Sequence, residues 1–381
     1  MSKAIYLDYA AATPVDPQVL DAMQPYFSDK FYNPSANYLA ARAVRQALEQ
    51  ARSDVASCLG ARPAEVIFTA GATEANNLAI QGAMRRFPDG EVLVSSIEHE
   101  SVLEPASLFK HRQIPVDAQG RILLNKLSNL INDKTVLISV GFVNNELGSV
   151  QPMREIADIV GQERKKRRAN AVKKPLWLHT DAAQAPNYFD LHVSRLGVDL
   201  VSINGGKVYG PKQSGALYVK AGVTLTGIIL GGGQESNLRS GTENVPGAIG
   251  LAEALKLAQD RRKAESQRIS TLRQKFIDEL KQAIPDAVIN GSKKSTAPHI
   301  LSVSFPGVDN ERLMFQLDEA GVQVAAGSAC AAGKQQPSHV LAAVGLSDEL
   351  IRSTLRISLG RATKEAELHK FISLLRQFTT V

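Results

Sequence analysis

The chain has 381 residues, 44% of them hydrophobic and 22% charged, with a formal net charge of +6. This composition excludes disordered and fibrous classes, and the length exceeds what one compact core usually organises. The longest apolar stretch, Thr135 to Val143, falls far short of the roughly 20 residues that span a bilayer, and Asp8 interrupts any amino-terminal apolar leader. A cytoplasmic protein with no membrane contact is expected.

In chain order, short apolar runs predict strands at Glu65 to Thr69, Glu91 to Ser95, Thr135 to Val143, Leu176 to Thr180, Leu200 to Ile203 and Ala216 to Val219. Segments with helical periodicity, such as Glu74 to Arg85 and Met153 to Arg167, lie between them. This alternation gives an α/β class with a mostly parallel sheet covered on both faces. After Gly231-Gly232-Gly233 a long helix is predicted from about Val245 to Ala283, where Leu251, Leu255 and Ala258 suit a connector between two domains. Beyond it, strands at His299 to Phe305, Val322 to Ala326 and Thr354 to Leu359, with helices at Glu311 to Glu319 and Lys364 to Gln377, predict a smaller α+β domain. The expected division is a large domain over 15–255 and a small one made of 1–14 and 256–381.

Two cysteines, Cys58 and Cys330, form no metal-ligand or CxxC pattern, so neither a disulfide framework nor a metal site is expected. Cys58 falls in a helical pattern among Val55, Ala56 and Leu59, and is expected to be buried. Small residues surround Cys330 in Ala325 to Lys334, so a mobile, exposed loop over about 325–336 with a reactive thiol is expected. The basic run from Arg164 to Arg168, with Lys173 and Lys174, reads either as a solvated helix end or as a contact for a polyanion.

The turn from Thr69 to Asn77 leaves a strand and opens a helix; Gly71 permits the turn, Thr73 is expected to cap, and the first N–H groups favour a phosphate. Asp181 ends a predicted strand, at the edge where α/β sheets bind ligands. Lys207 follows another strand within Asn204-Gly205-Gly206-Lys207-Val208-Tyr209-Gly210-Pro211, as a lysine that captures a carbonyl would. An acid for a pyridine nitrogen and a carbonyl-binding lysine are what a pyridoxal-phosphate site requires. Arg356, on a predicted strand, suits either a substrate carboxylate or a structural ion pair.

In this order the motifs resemble the cysteine desulfurases of the class V branch of fold-type I pyridoxal-phosphate enzymes. The resemblance runs from Ile5–Pro14 and Asn33-Pro34-Ser35 through Gly71–Glu74, Glu98-His99 and Val143–Gly148. It continues with Asp181–Gln184, Lys207–Pro211, Arg239–Thr242, Gly327–Cys330 and Pro337–Leu341. It implies a seven-stranded type of central sheet and pyridoxal 5'-phosphate as cofactor. By the same resemblance Lys207 carries the cofactor and shuttles a proton, His99 stacks on its ring, and Asp181 pairs with the ring nitrogen. Asn145 and Gln184 bond the ring hydroxyl, while Ala72, Thr73 and Asn204 serve the phosphate together with Thr242 of a neighbouring subunit, which implies a homodimer. Asn33 and Arg356 bind the carboxylate of L-cysteine, and Cys330 receives its sulfur as a persulfide, releasing L-alanine. A protein acceptor follows, such as an iron–sulfur cluster assembly scaffold or a thiolation protein, and direct nucleic-acid contact is left open. A class V aminotransferase, a selenocysteine lyase and a non-catalytic sulfur-trafficking scaffold are the alternative readings. Two positions depart from the family pattern. Gly206 stands where an imidazole usually precedes the lysine, and Tyr38 stands where a histidine usually follows Asn-Pro-Ser.

Overall fold

The structure is a computed structural model that describes residues 4–327 and 337–379. The apolar runs assemble into a sheet of order β2-β8-β7-β6-β5-β3-β4. Here β2 is Val66–Thr69, β3 Glu91–Ser95, β4 His111–Ile114, β5 Thr135–Ser139, β6 Trp177–Asp181, β7 Leu200–Asn204 and β8 Gly215–Val219. Neighbours are parallel from β4 across to β7, whereas β8 runs antiparallel to both β7 and β2. Strands β3 and β5 are buried at every position, as a sheet with helices on both faces demands. Along β3 the two-residue period divides the side chains between two cores. Val92 and Val94 belong to the core that holds Leu78, Ala79 and Ala83 of the helix Ala72–Arg86, while Leu93 belongs to the other core, with Ile114 and Ile138 of the flanking strands.

A further core forms around β10 (Ile300–Ser304), which lies antiparallel between β12 (Thr354–Ser358) and β9 (Val288–Asn290). The strand β1 (Ile5–Tyr6) pairs in parallel with β11 (Val322–Gln323), and Ile5 and Leu7 sink into this same core with Phe276, Phe305 and Phe371. The helix Val245–Ala283 joins the cores: Leu251 and Leu255 serve the first, Ile269, Leu272 and Phe276 the other. Its 39 residues reach about 60 Å.

Several expectations need correction. The run from Thr135 to Val143 is a strand only to Ser139; beyond it the N–H of Gly141 is taken by the side chain of Glu98, at Oε1. Glu65 closes a short turn, Pro63–Glu65, instead of opening the strand. The extended run at Val322 to Ala326 stops at Gln323. Cys58 is half-buried, and burial pushes its thiol up to about 11. Within the basic run, Arg164 ion-pairs with Asp199 and donates to the Leu176 carbonyl at 2.8 Å. Arg167 is buried and donates to the carbonyls of Asn132 and Pro175. Those two arginines thus fasten the helix Met153–Ala169 and are not available to a polyanion. Among the described residues no helix is long and apolar enough to cross a membrane.

Candidate active site

Where β7 ends, Gly205–Lys207 form a tight turn whose first N–H groups are met at once: Asn204 Oδ1 accepts from Gly206 N at 3.1 Å. A Cβ on Gly205 would come within 2.1 Å of Ser214 Oγ and 2.9 Å of the Pro211 carbonyl, so no larger residue fits. Thr13, from the other end of the chain, clamps the turn. Its N–H and hydroxyl both donate to the Gly206 carbonyl at 3.1 Å, and its hydroxyl accepts from Tyr209 N at 2.9 Å. Tyr209 is held at φ 62, with its ring 3.9 Å from the Arg361 guanidinium and its hydroxyl accepting from Arg361 N at 2.7 Å. Asn187 Nδ2 donates to the Lys207 carbonyl at 2.9 Å. The backbone that carries Lys207 is therefore fixed on every side.

Asp181 ends β6 beside this turn. Asn76 Nδ2 donates to its Oδ2 at 2.7 Å and Ala183 N to its Oδ1 at 2.8 Å. Both donors are neutral, so they orient the carboxylate without an ion pair. The same Asn76 amide donates to Ser101 Oγ at 2.9 Å, and Ser101 reaches His99 Nδ1 at 2.9 Å. His99 caps the helix Glu100–Ser107 by accepting from Ser101 N at 3.0 Å, so Nδ1 is an acceptor and the ring proton sits on Nε2. Burial, aided by the charge of Lys207, lowers its basicity below that of an ordinary histidine. Glu98, fully buried, is pushed up to about 8 by desolvation, with the Asp181 charge adding to the effect.

The turn at Gly71 is built by backbone crowding. Gly71 sits at φ 141 and is itself the cap residue of the helix Ala72–Arg86; no side chain caps it, which corrects the expectation for Thr73, a residue inside the first turn. A Cβ on Gly215 would lie 2.6 Å from Gly71 Cα, so β8 and this turn touch backbone to backbone.

Ala72, Thr73, His99, Asn145, Asp181, Gln184, Asn204 and Lys207 line one pocket. Gln184 is anchored there by donating to the Ala10 carbonyl at 2.9 Å and by a 3.2 Å bond to His299, whose ring stacks on Tyr188. Arg356 is buried in β12. It donates to Asp8 Oδ1 at 2.7 Å and to the Asn145 carbonyl at 3.1 Å, and its Nε has no partner. Arg356 therefore is in an ion pair, and it reaches the pocket through Asn145. Asn33 and Thr242 are exposed and do not line the pocket. Cys330 lies outside the described residues. The sequence reading missed Asn76, Ser101, Glu98 and Asp8. Asn76 had one signal, its position one helical turn after Ala72 on the same face.

The family model for aminotransferase class-V matches residues 5–371. The chain belongs to the class-V aminotransferase family. A cysteine desulfurase, IscS, of Dictyoglomus turgidum is 38% identical over 99% of this chain and 95% of its own length. Among solved structures, a NifS-like protein superposes with TM-score 0.89 at 31% identity, covering 98% of both chains. SspA in complex with cysteine superposes with TM-score 0.79 at 36% identity, covering 93% of this chain and 98% of that one. The cofactor of this class-V chain is pyridoxal phosphate, and the donor set fits it: an amine at Lys207, a carboxylate at Asp181 held by neutral donors, and unpaired N–H groups at the start of a helix. When bound, it supplies an electron-withdrawing ring that acidifies the Cα of an attached amino acid.

Proposed function

We propose that the chain is a cysteine desulfurase that converts L-cysteine to L-alanine and leaves the sulfur on Cys330 as a persulfide for delivery to a protein acceptor. The observation that carries this reading is the meeting of Lys207 and anchored Asp181 in one pocket, with His99 tied to Asp181 through Ser101 and Asn76 and made less basic by burial. Lys207 would hold the cofactor through its carbonyl, and its amine would be the base for the proton on Cα of the substrate. His99, carrying its proton on Nε2, covers the ring. Asn145 and Gln184 bond the ring hydroxyl, and Ala72, Thr73 and Asn204 serve the phosphate. Arg356 and Asn33 take the substrate carboxylate. The Cys330 thiolate attacks the substrate sulfur, so that an S–S bond forms as the C–S bond breaks and the carbon leaves as alanine. A free thiol near its usual pKa is only a few per cent ionised at neutral pH, so the site must favour the thiolate for this step.

Thr242 is exposed, and so are the apolar side chains of Ile229 and Leu230, where Ile229 bridges to Arg239; an exposed apolar segment of this kind supports a homodimer in which Thr242 completes the partner's phosphate site. The same reading assigns 15–255 to the cofactor-binding domain and 1–14 with 256–381 to the small one, puts the protein in the cytoplasm, and makes an iron–sulfur scaffold or thiolation protein the acceptor.

The test is product analysis of purified protein given cysteine. Alanine and an added sulfur on Cys330, both lost in Cys330→Ser, are expected. Glutamate formed from a keto acid, with no added sulfur, would point to an aminotransferase instead.

A further inference from the structure

A phosphate monoester carries about −1.5 to −2 charges near neutral pH, and neutral N–H groups at a helix start offset only part of that. The cavity on the phosphate side of Lys207 is lined by Gly71, Ala72, Thr73, Asn204, Gly206 and Lys212, among others. Three charged side chains line it. Glu74 is paired with Arg239 at 2.9 Å and also accepts from Ala70 N at 3.0 Å. Lys207 is committed to the cofactor carbonyl. Lys212 remains: it is exposed, and among the described residues no acceptor lies within bonding distance of its ammonium.

Gly206 faces it. A Cβ built there would meet Lys212 Cγ at 3.5 Å and Asn204 Oδ1 at 3.6 Å, which is ordinary contact, and Gly206 is not among the glycines with positive φ. Neither crowding nor backbone conformation imposes glycine at this position, in contrast to Gly205. What glycine does is leave the floor of the cavity bare beneath the stem of Lys212. We propose that Lys212 provides the cation that binds the cofactor phosphate, and that Gly206 leaves it the room to do so. A compact ammonium with rotatable donors suits a dianion approached from an exposed wall. This inference rests on the assignment of Lys207 and pyridoxal phosphate to the pocket.

The experiment strips the cofactor from purified protein and titrates the apoprotein with pyridoxal phosphate and, in parallel, with pyridoxal, which has no phosphate. Binding is followed by absorbance and confirmed by borohydride trapping on Lys207. For Lys212→Ala we expect the phosphate form to bind about tenfold more weakly, or ~1.4 kcal/mol, with pyridoxal unchanged. Lys212→Arg should stay near wild type, and Lys212→Glu should bind the phosphate form more weakly than Lys212→Ala. Equal affinity for the phosphate form in wild type and Lys212→Ala overturns the assignment, as does an equal loss for both aldehydes. If wild type traps neither aldehyde on Lys207, the underlying cofactor reading fails and this inference with it. Wild-type trapping with an unaffected Lys212→Ala sinks only the role of Lys212.

Discussion

Replacing Arg356 by lysine separates charge from geometry in the role proposed for it, the grip on the substrate carboxylate. The guanidinium is 2% exposed, gives one bond to Asp8 Oδ1 at 2.7 Å and another to the Asn145 carbonyl at 3.1 Å, and retains a buried Nε without a partner. A planar fork with five donors can hold these two groups and still offer N–H groups to a substrate carboxylate. An ammonium keeps the ion pair with Asp8 but has too few fixed donors for all three. Losing one charge-assisted bond to the substrate costs about 1.5–3 kcal/mol, a ten- to hundredfold rise in KM for cysteine. Because the carboxylate is gripped equally before and during the reaction, kcat should change little. The assay is steady-state alanine formation over a range of cysteine concentrations, with a thermal melt alongside to exclude unfolding. An unchanged KM in a folded Arg356→Lys protein, or a fall in kcat at constant KM, would refute the role given to this residue.

Glu235 is buried, accepts two 2.7 Å bonds from Arg52 and one at 2.8 Å from Phe68 N, so Glu235→Ala should cost about 3–5 kcal/mol in a denaturant melt; a loss under 1 kcal/mol would show that the pair is dispensable. His179 is buried between Ser139 and Ser202, and desolvation holds it at about 4 in the folded chain against about 6.5 when unfolded. The unfolded chain therefore binds a proton that the native one refuses, and stability should fall as the pH drops from 6.5 towards 4. Denaturant midpoints across that window should fall less steeply in His179→Gln, and identical slopes would contradict the assignment. Gly215→Ala forces a Cβ to within 2.6 Å of Gly71 Cα and of the Ile203 carbonyl, so it should lower both the melting temperature and the cofactor content of the purified protein; full occupancy by absorbance would argue against this contact as the support of the phosphate turn.

The buried strands and the 39-residue connecting helix were legible because their signals are local: runs of apolar residues, and Leu251, Leu255 and Ala258 at helical spacing. Strand β4 was not, since at the sheet edge only Ile114 of His111–Ile114 is buried and no apolar run marks it. At the site, Lys207 and Asp181 could be found from the strands they follow. The anchoring of Asp181 by Asn76 and of Arg356 by Asp8 joins residues far apart in the chain, and no spacing rule reaches that far. Thr73 was misread because a threonine at a helix start suggests a cap, whereas the cap position belongs to Gly71, whose φ of 141 suits glycine alone.

The pairing of Ile5–Tyr6 with Val322–Gln323, and of Asp8 with Arg356 across a separation of 348 residues, has a consequence for biogenesis. On a ribosome adding about 5–20 residues per second, the apolar amino end waits roughly a quarter of a minute to a minute for its partners to emerge. Until then Ile5 and Tyr6 lack the strand that pairs with them, and Arg356, the proposed carboxylate ligand, has not yet been made. Vectorial synthesis thus makes the pocket-lining residues from Ala72 to Lys207 well before the strand that carries Arg356, and a tag fused ahead of Ile5 acts on the part of the molecule that closes last.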